Sequence, residues 1–546
     1  MKALMPAISA QGTMNPVLYN KQYSFTGLLL TVSVFILSCE SSKILIYPLD
    51  GSHWVNMKLL VEALHSKGHE ITVIRQSSSF FIKEDPSLYS IIPVNDDIED
   101  LKEFYDEYLE KHIQIQRGQS STLTFLKMQM DFLFLISHLH LLSCNTIGKI
   151  IEDKELVKRL QDEQYDLVLT DPALTGGVLL GHYLNLPFVL NARWISSGEG
   201  HFAIAPSPLS YIPVPGTGLT DKMTFTQRVK NFLFYPIILF QEFFLVGPHY
   251  KAFCKKYFDK DCDIVSLLQE ADIWLMRLDF VFDFPRPTMP NVVYMGGFQC
   301  KPSKPLPQDL ETFVQSSGEH GFIIMSLGTA VDSLPADLVQ EIAAVFSKLP
   351  QKVIWRHLGA KPSTLGNNTL LVDWMPQNDL LGHPKIKAFV AHGGTNGVQE
   401  AIYHGVPVLG IPLFFDQFDN LLRIQAKGAA KILELSQLNG QTFEQMILEI
   451  LNDESYRMNM QRLSRLHRDQ PMKPLDTAVF WIEYVIRHKG APHLRTKSYR
   501  MPWYSYHSLD VILFLFSIAA VTVFMTVAFI RYVCCRACCK RKVKSQ

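Results

Sequence analysis

His392, Gly393, Gly394, Asn396, Gly397 and Glu400 have the types and spacing needed to hold a diphosphate joined to a sugar. The apolar run 387–391 reads as a strand and residues 398–403 as an amphipathic helix, so the group fills a strand-to-helix turn. Glycines there let the main chain come close to an anion, which free N–H groups and the helix dipole attract. His392 adds a side-chain donor, and the Glu400 carboxylate suits the diol of a ribose. A second strand, 408–411, runs into Pro412 and delivers Asp416 and Gln417, a carboxylate and an amide suited to sugar hydroxyls. Upstream, Trp374 offers an aromatic plate beside the amide of Gln377, as a flat base requires. Phosphates, ribose, base and sugar are all provided for, and the set describes a nucleotide-sugar site.

A second constellation lies in the first half of the chain. The strand Lys43–Tyr47 runs into Pro-Leu-Asp-Gly-Ser and then His53, and the strand 166–170 ends at Asp171-Pro172. Both residues fall past the carboxyl ends of parallel strands, where open α/β sheets place their ligands. A loop histidine oriented by a carboxylate is what deprotonation of a hydroxyl near neutral pH requires. The chain holds 18 histidines, so position rather than residue type singles out His53.

The ordered Trp, Gln, His-Gly-Gly, Glu and Asp-Gln positions over residues 374–420 resemble the donor signature of the family 1 UDP-glycosyltransferases, closely that of the vertebrate UDP-glucuronosyltransferases. Gly51-Ser-His53 and Thr170-Asp-Pro172 match motifs of the same family. The resemblance implies the GT-B architecture, two Rossmann-like domains facing a cleft, and an inverting transfer from a UDP-sugar. His53 would be the base, Asp171 its orienting partner, and Ser326 with the His392 loop the holders of departing UDP. It implies no cofactor and no metal, the UDP-sugar being a co-substrate. The acceptor would be a lipophilic small molecule, and the favoured donor UDP-glucuronate, with Arg277 and Arg286 as conceivable cations for its carboxylate. UDP-glucose, UDP-N-acetylglucosamine or a sphingolipid-type acceptor fit the same chemistry, and a non-catalytic lumenal binding protein is the reading outside enzymes. Two DxD patterns at Asp259, Asp261 and Asp263 read as a solvated acidic turn.

The elements needed to carry these groups follow from periodicity. Strands and helices alternate, which points to parallel sheets with crossover helices. Expected strands in the first half are Lys43–Tyr47, 70–75, 166–170 and 187–191, with helices at 55–66 and 174–184. In the second half they are 321–327, Lys352–Arg356, 370–374, 387–391 and 408–411, with helices Ala336–Lys348 and 443–451. At 546 residues the chain is too long for one ordinary domain. The expected division is a signal segment 1–42, an acceptor-binding domain 43–298, a Pro/Lys-rich linker 299–310 and a UDP-sugar-binding domain 311–490. A juxtamembrane piece 491–510, a membrane helix 511–530 and a basic tail 531–546 follow. The amphipathic stretch 471–488 is long enough to cross back to the first domain.

Fifty-two basic residues balance fifty-two acidic ones, which removes any bulk electrostatic case for nucleic acid. Lys21, the short apolar run 27–37 and the small residues after it have the build of a secretory signal, with Met14 an alternative start. Residues 511–530 are uncharged and long enough to cross a bilayer. Arg531, Arg536, Lys540, Arg541, Lys542 and Lys544 follow without an acid, which places the tail in the cytosol and the body in the lumen. The end Lys-Val-Lys-Ser-Gln resembles the KxKxx retrieval signal, implying a type I protein of the endoplasmic reticulum membrane.

Of nine cysteines, Cys144, Cys254, Cys262 and Cys300 fall in the lumenal body, too few for a disulfide scaffold. Cys254 and Cys262 either pair or stay as free thiols. The tail set Cys534, Cys535, Cys538 and Cys539 favours reduced or palmitoylated thiols over a metal site. Asn367-Asn-Thr is a glycosylation sequon in the lumenal part. Residues 125–140 and 232–246 are strongly apolar and serve as core, acceptor pocket or membrane surface. Homo- and hetero-oligomers both stay open.

Overall fold

The computed structural model describes residues 41–96, 102–118, 121–192, 200–328 and 334–543. The signal-like segment with Met14 and Cys39, and the final Lys544, lie outside the described residues.

Among the described residues, two parallel sheets carry the body. The first holds seven strands: β1 (Lys43–Tyr47), β2 (Glu70–Gln76), β3 (Ser90–Val94), β4 (Leu167–Thr170), β5 (Phe188–Ala192), β6 (Ile273–Met276) and β7 (Val292–Tyr294). Their spatial order is β3-β2-β1-β4-β5-β6-β7. The second has six: β8 (Phe322–Ser326), β9 (Lys352–Arg356), β10 (Thr369–Val372), β11 (Ile386–Ala391), β12 (Val408–Gly410) and β13 (Ala430–Ile432), in the order β10-β9-β8-β11-β12-β13. In each sheet the strand order reverses beside the first strand of that half, and such switch points open a crevice at the carboxyl edge. The site-bearing strands share it: Tyr47 pairs with Thr170 across β1 and β4, and Ala391 with both Ser326 and Gly410.

The helices that matter for the site are α1 (Ser52–Ser66), α2 (Lys102–Gln116), α3 (Thr122–Glu152), α4 (Gly176–Leu184), α5 (Phe225–Phe240), α6 (Gly247–Tyr257), α7 (Ala336–Lys348), α8 (Thr395–His404), α9 (Gln417–Gln425), α10 (Glu454–Arg468), α11 (Pro474–His488) and α12 (Leu509–Val543). Central strands such as β4 and β8 are buried along their whole length, as strands covered by helices on both faces must be.

One departure from the sequence expectations and two points that the sequence left open have physical reasons. The strand expected over 370–374 stops at Val372, where pairing with β9 ends at Arg356, and Pro376 follows shortly after. That leaves Trp374 outside the sheet and 72% exposed. Secondly, α11 packs on the first sheet: Ala478, Val479, Ile482 and Val485 join Ile44, Trp54, Leu60 and Ile273 in one cluster. These positions recur every three or four residues, the stripe a helix needs to bury one face. Thirdly, Cys254 and Cys262 form a disulfide, which ties α6 to the acidic turn, where Asp263 caps the next short helix through Ser266 N. The DxD carboxylates thus sit on a surface turn, with Asp261 3.8 Å from Lys251.

The two apolar stretches are only partly core. From α3, Leu123, Phe125, Leu126, Met130 and Phe134 are exposed; from α5 and the turn after it, Phe232, Leu233, Ile237, Phe240, Phe243 and Phe244 are too. Among the described residues, three helical segments are long and apolar enough to cross a membrane: 123–152, 225–257 and 509–537. Only the last is free of burial, with a mean hydropathy of 2.6.

Candidate functional site

The turn after β1 is shaped by Gly51, whose φ of +71° suits glycine and which precedes the first helical residue of α1. Asp50 braces this turn by accepting from Phe80 N at 2.6 Å and Phe81 N at 3.2 Å. His53 therefore stands in the first turn of α1. Across the strand pair, Thr170 Oγ1 donates to Tyr47 O at 2.7 Å, fastening the ends of β1 and β4 together. Asp171, the next residue, caps the short helix Pro172–Leu174 through Ala173 N at 2.9 Å, and its other oxygen lies 2.7 Å from His53 Nδ1. Both side chains are buried, at 8% and 5% exposure. Burial pushes the Asp171 carboxyl up. The charge and hydrogen bond of His53, the Ala173 N–H and the charge of Arg277 outweigh it and hold the group below the usual carboxylate value. An ionised Asp171 accepting from Nδ1–H leaves Nε2 as the basic nitrogen.

In the second sheet, β11 ends at Ala391 and α8 begins at Thr395. Gly393 has φ +95°, and a Cβ there would fall 2.6 Å from Gln417 O, so no other residue fits the turn. The Gly393 carbonyl accepts from Asn420 Nδ2 at 3.1 Å. The His392 ring lies against Gly328 and Gly394, and Ser326 ends the neighbouring strand with its hydroxyl accepting from Gly328 N at 3.4 Å. Gln377 Nε2 donates to Glu400 Oε2 at 2.6 Å beside Gly397, joining the base and ribose candidates into one unit. Burial raises the Glu400 carboxyl above its ordinary value, the Gln377 bond opposing it. Asp416 follows Phe415, whose φ is +57°, and its Oδ2 accepts from Thr395 Oγ1 at 3.2 Å and Asn420 Nδ2 at 2.8 Å. Gln417 is oriented by its own loop, its Oε1 accepting from Leu413 N at 2.8 Å and Phe414 N at 3.2 Å. Asn367 is exposed on the turn two residues before β10.

Contacts absent from the sequence reading bring the two constellations together. Asn396 Oδ1 accepts from Arg277 Nη2 at 3.0 Å and from Asn56 Nδ2 at 3.3 Å, and Asn56 stands one helical turn after His53. Arg277 follows β6, is fully buried and lies over the Phe298 ring at 5.3 Å. Its carbonyl accepts from Gln399 Nε2 at 2.7 Å. Arg286 is placed elsewhere, donating to Gly200 O and Ser207 Oγ. A second tie fixes α9, the helix that carries Gln417: Arg423 Nε donates to Asp283 Oδ1 at 2.7 Å, and Asp419 accepts from Gly216 N at 2.7 Å. The Arg423–Asp283 pair is nearly dry, and although burial opposes it, Arg423 holds the Asp283 carboxyl below its ordinary value.

Two parallel Rossmann-type sheets, with a His–Asp pair on one and a glycine-rich strand-to-helix turn on the other, define a GT-B glycosyltransferase. Solved structures agree in fold. CalG4, the calicheamicin glycosyltransferase, is 16% identical, with 82% of this chain and 99% of that one covered and a TM-score of 0.55. A UDP-glucosyltransferase from Polygonum tinctorium is 15% identical, with the same coverage and a TM-score of 0.55. The family model described as UDP-glucoronosyl and UDP-glucosyl transferase matches residues 42–545, and the chain belongs to that family. Curated relatives include UDP-glucuronosyltransferase 1A6 of Homo sapiens, 42% identical over 90% of this chain and 91% of its own length. UDP-glucuronosyltransferase 2A1 of Mus musculus is 41% identical over 88% and 91%. The chain is a UDP-sugar glycosyltransferase, and a UDP-sugar donor and a small-molecule acceptor are its two substrates.

Proposed function

We propose that this chain moves glucuronic acid from UDP-glucuronate to a hydroxyl group of lipophilic molecules such as phenols and steroids, with inversion at the sugar. The observation that carries the reading is the buried 2.7 Å His53–Asp171 pair, set one helical turn from the Asn56–Asn396 contact with the donor loop. His53 Nε2 takes the acceptor proton while the acceptor oxygen attacks the anomeric carbon. The bond from that carbon to the diphosphate breaks, and UDP leaves with the electron pair. Asp171 fixes the tautomer and steadies the imidazolium. Ser326, His392, Gly393, Gly394, Asn396 and Gly397 hold the diphosphate; Trp374, Gln377 and Glu400 hold uridine; Asp416 and Gln417 hold the sugar. Of the two arginines considered for the glucuronate carboxylate, Arg277 is the one bonded to the donor loop.

The exposed apolar faces of α3 and α5 support a body that rests on the bilayer and receives acceptors dissolved in lipid. With α12 as anchor, the protein is read as single-pass type I in the endoplasmic reticulum, its body lumenal and Asn367 glycosylated. The test is an assay of sealed and detergent-opened microsomes with a panel of UDP-sugars and a phenol and steroid mixture, read by mass spectrometry and proton NMR of the anomeric centre. A β-glucuronide formed from the α-linked donor is expected. Preference for UDP-glucose, or an α-linked product, would overturn the donor or the inverting step respectively.

A further inference from the structure

We propose that Cys534 and Cys535 are attachment sites for long-chain fatty acyl groups, held as thioesters. The inference rests on the reading that the tail is cytosolic. Helix α12 runs unbroken from Leu509 to Val543, through the apolar run and on into the basic tail. The uncharged run of residues 511–530 matches the hydrocarbon thickness, ~30 Å at ~1.5 Å per residue. Cys534 and Cys535 then stand only ~6–8 Å beyond its end by the same rise, at headgroup depth. Both are exposed, and Arg531 and Arg536 bracket them. No acidic residue follows Asp510, so the whole turn is drawn to an anionic leaflet surface. Cys538 and Cys539 follow one helical turn further on.

Other uses of these thiols fit the helix poorly. Neighbouring positions on a helix diverge by ~100°, which opposes a bond between Cys534 and Cys535. Cys534 and Cys535, adjacent on one helix, offer at most two of the four ligands that a tetrahedral metal takes. Acyl transfer asks for neither. The sulfur attacks the carbonyl carbon of a long-chain acyl-coenzyme A, a new S–C(O) thioester forms, and the coenzyme thiol leaves with the cysteine proton. No electron changes hands. The described cysteines of the body provide internal contrast: Cys144 is buried, Cys300 is half-buried, and Cys254 and Cys262 are bonded to each other.

The full chain, expressed in cultured cells fed an alkyne-bearing palmitate, should carry label that neutral hydroxylamine removes. Exchange of the thioesters for a polymer mass tag should give at least two steps on a gel. C534S/C535S should lose two steps and at least half of the label, with glycosyl transfer to a soluble phenol unchanged. Full labelling of C534S/C535S, or no label on a tail that protease reaches in sealed microsomes, overturns the acylation alone. An unlabelled tail that is protected from protease overturns the cytosolic assignment along with it.

Discussion

Removing the imidazole and its carboxylate partner separately and together gives the sharpest test of the catalytic pair. A positioned general base is worth ~10²–10⁴ in rate, or about 2.7–5.4 kcal/mol, so His53→Ala should lose that much kcat. Asp171 acts through a 2.7 Å contact with Nδ1 in a site that excludes most water. Asp171→Asn offers Nδ1 an amide donor and drives the proton to Nε2, the nitrogen meant to accept one. Its loss should therefore approach that of His53→Ala, as tautomer reversal costs ~10⁴ in the serine-protease triad. Because both residues serve one proton transfer, the double variant should be little worse than His53→Ala. The assay is kcat at saturating UDP-sugar, by product mass spectrometry, with UDP affinity measured by calorimetry and expected to hold within about twofold. Acidic phenols surrender their proton readily and should suffer least. If the two single losses multiply, or an aliphatic alcohol and an acidic phenol lose activity equally, the base assignment is refuted.

Glu400→Ala should weaken UDP and UDP-sugar alike in calorimetry, whereas Asp416→Asn should impair transfer while sparing UDP. The folded state raises the Glu400 carboxyl, so its contribution to stability is full below the unfolded pKa and lost as pH rises through the folded one. Glu400→Gln does not titrate, and its melting temperature relative to the parent should climb between pH 4 and pH 8. Arg423→Met leaves Asp283 buried without its partner and should cost ~3–5 kcal/mol in thermal or denaturant unfolding, most of it restored in the Asp283→Leu/Arg423→Met pair. Ile482→Ala should cost ~2–5 kcal/mol by the same measurement, because it opens a cavity under the first sheet. Asn367→Gln should remove a single glycan-sized step from the gel mobility of the secretory-pathway protein.

Strong local patterns were legible and long-range ones were not. The bounds of Lys43–Tyr47, Lys352–Arg356 and Ala336–Lys348 follow from apolar runs of ordinary length and a clear helical stripe. The strands Val292–Tyr294 and Ala430–Ile432 are three residues long, too short for any period to register, and Ser90–Val94 is interrupted by Pro93 at the sheet edge. His53 and Asp171 could be named separately because each follows a strand, but that they meet depends on the adjacency of β1 and β4, which no local pattern encodes. Asn56 and Arg277 went unseen in their structural role because Asn396 lies 340 and 119 residues away from them. Gln417 shows the same limit at short range. Its residue type fits a sugar ligand, but that its carbonyl oxygen accepts from Leu413 N and Phe414 N, leaving the amide nitrogen to face a ligand, is not written in the local sequence.

The return of α11 to the first sheet makes the half built on the second sheet an inserted lobe rather than a trailing one. The peptide chain enters it through residues 299–307 and leaves through 469–473, so two covalent crossings join the halves. Two chain crossings, backed by the Arg277–Asn396 and Arg423–Asp283 bonds, fix the halves in register more firmly than one linker would. Helix α12, the candidate membrane span, follows α11 and so hangs from the half built on the first sheet.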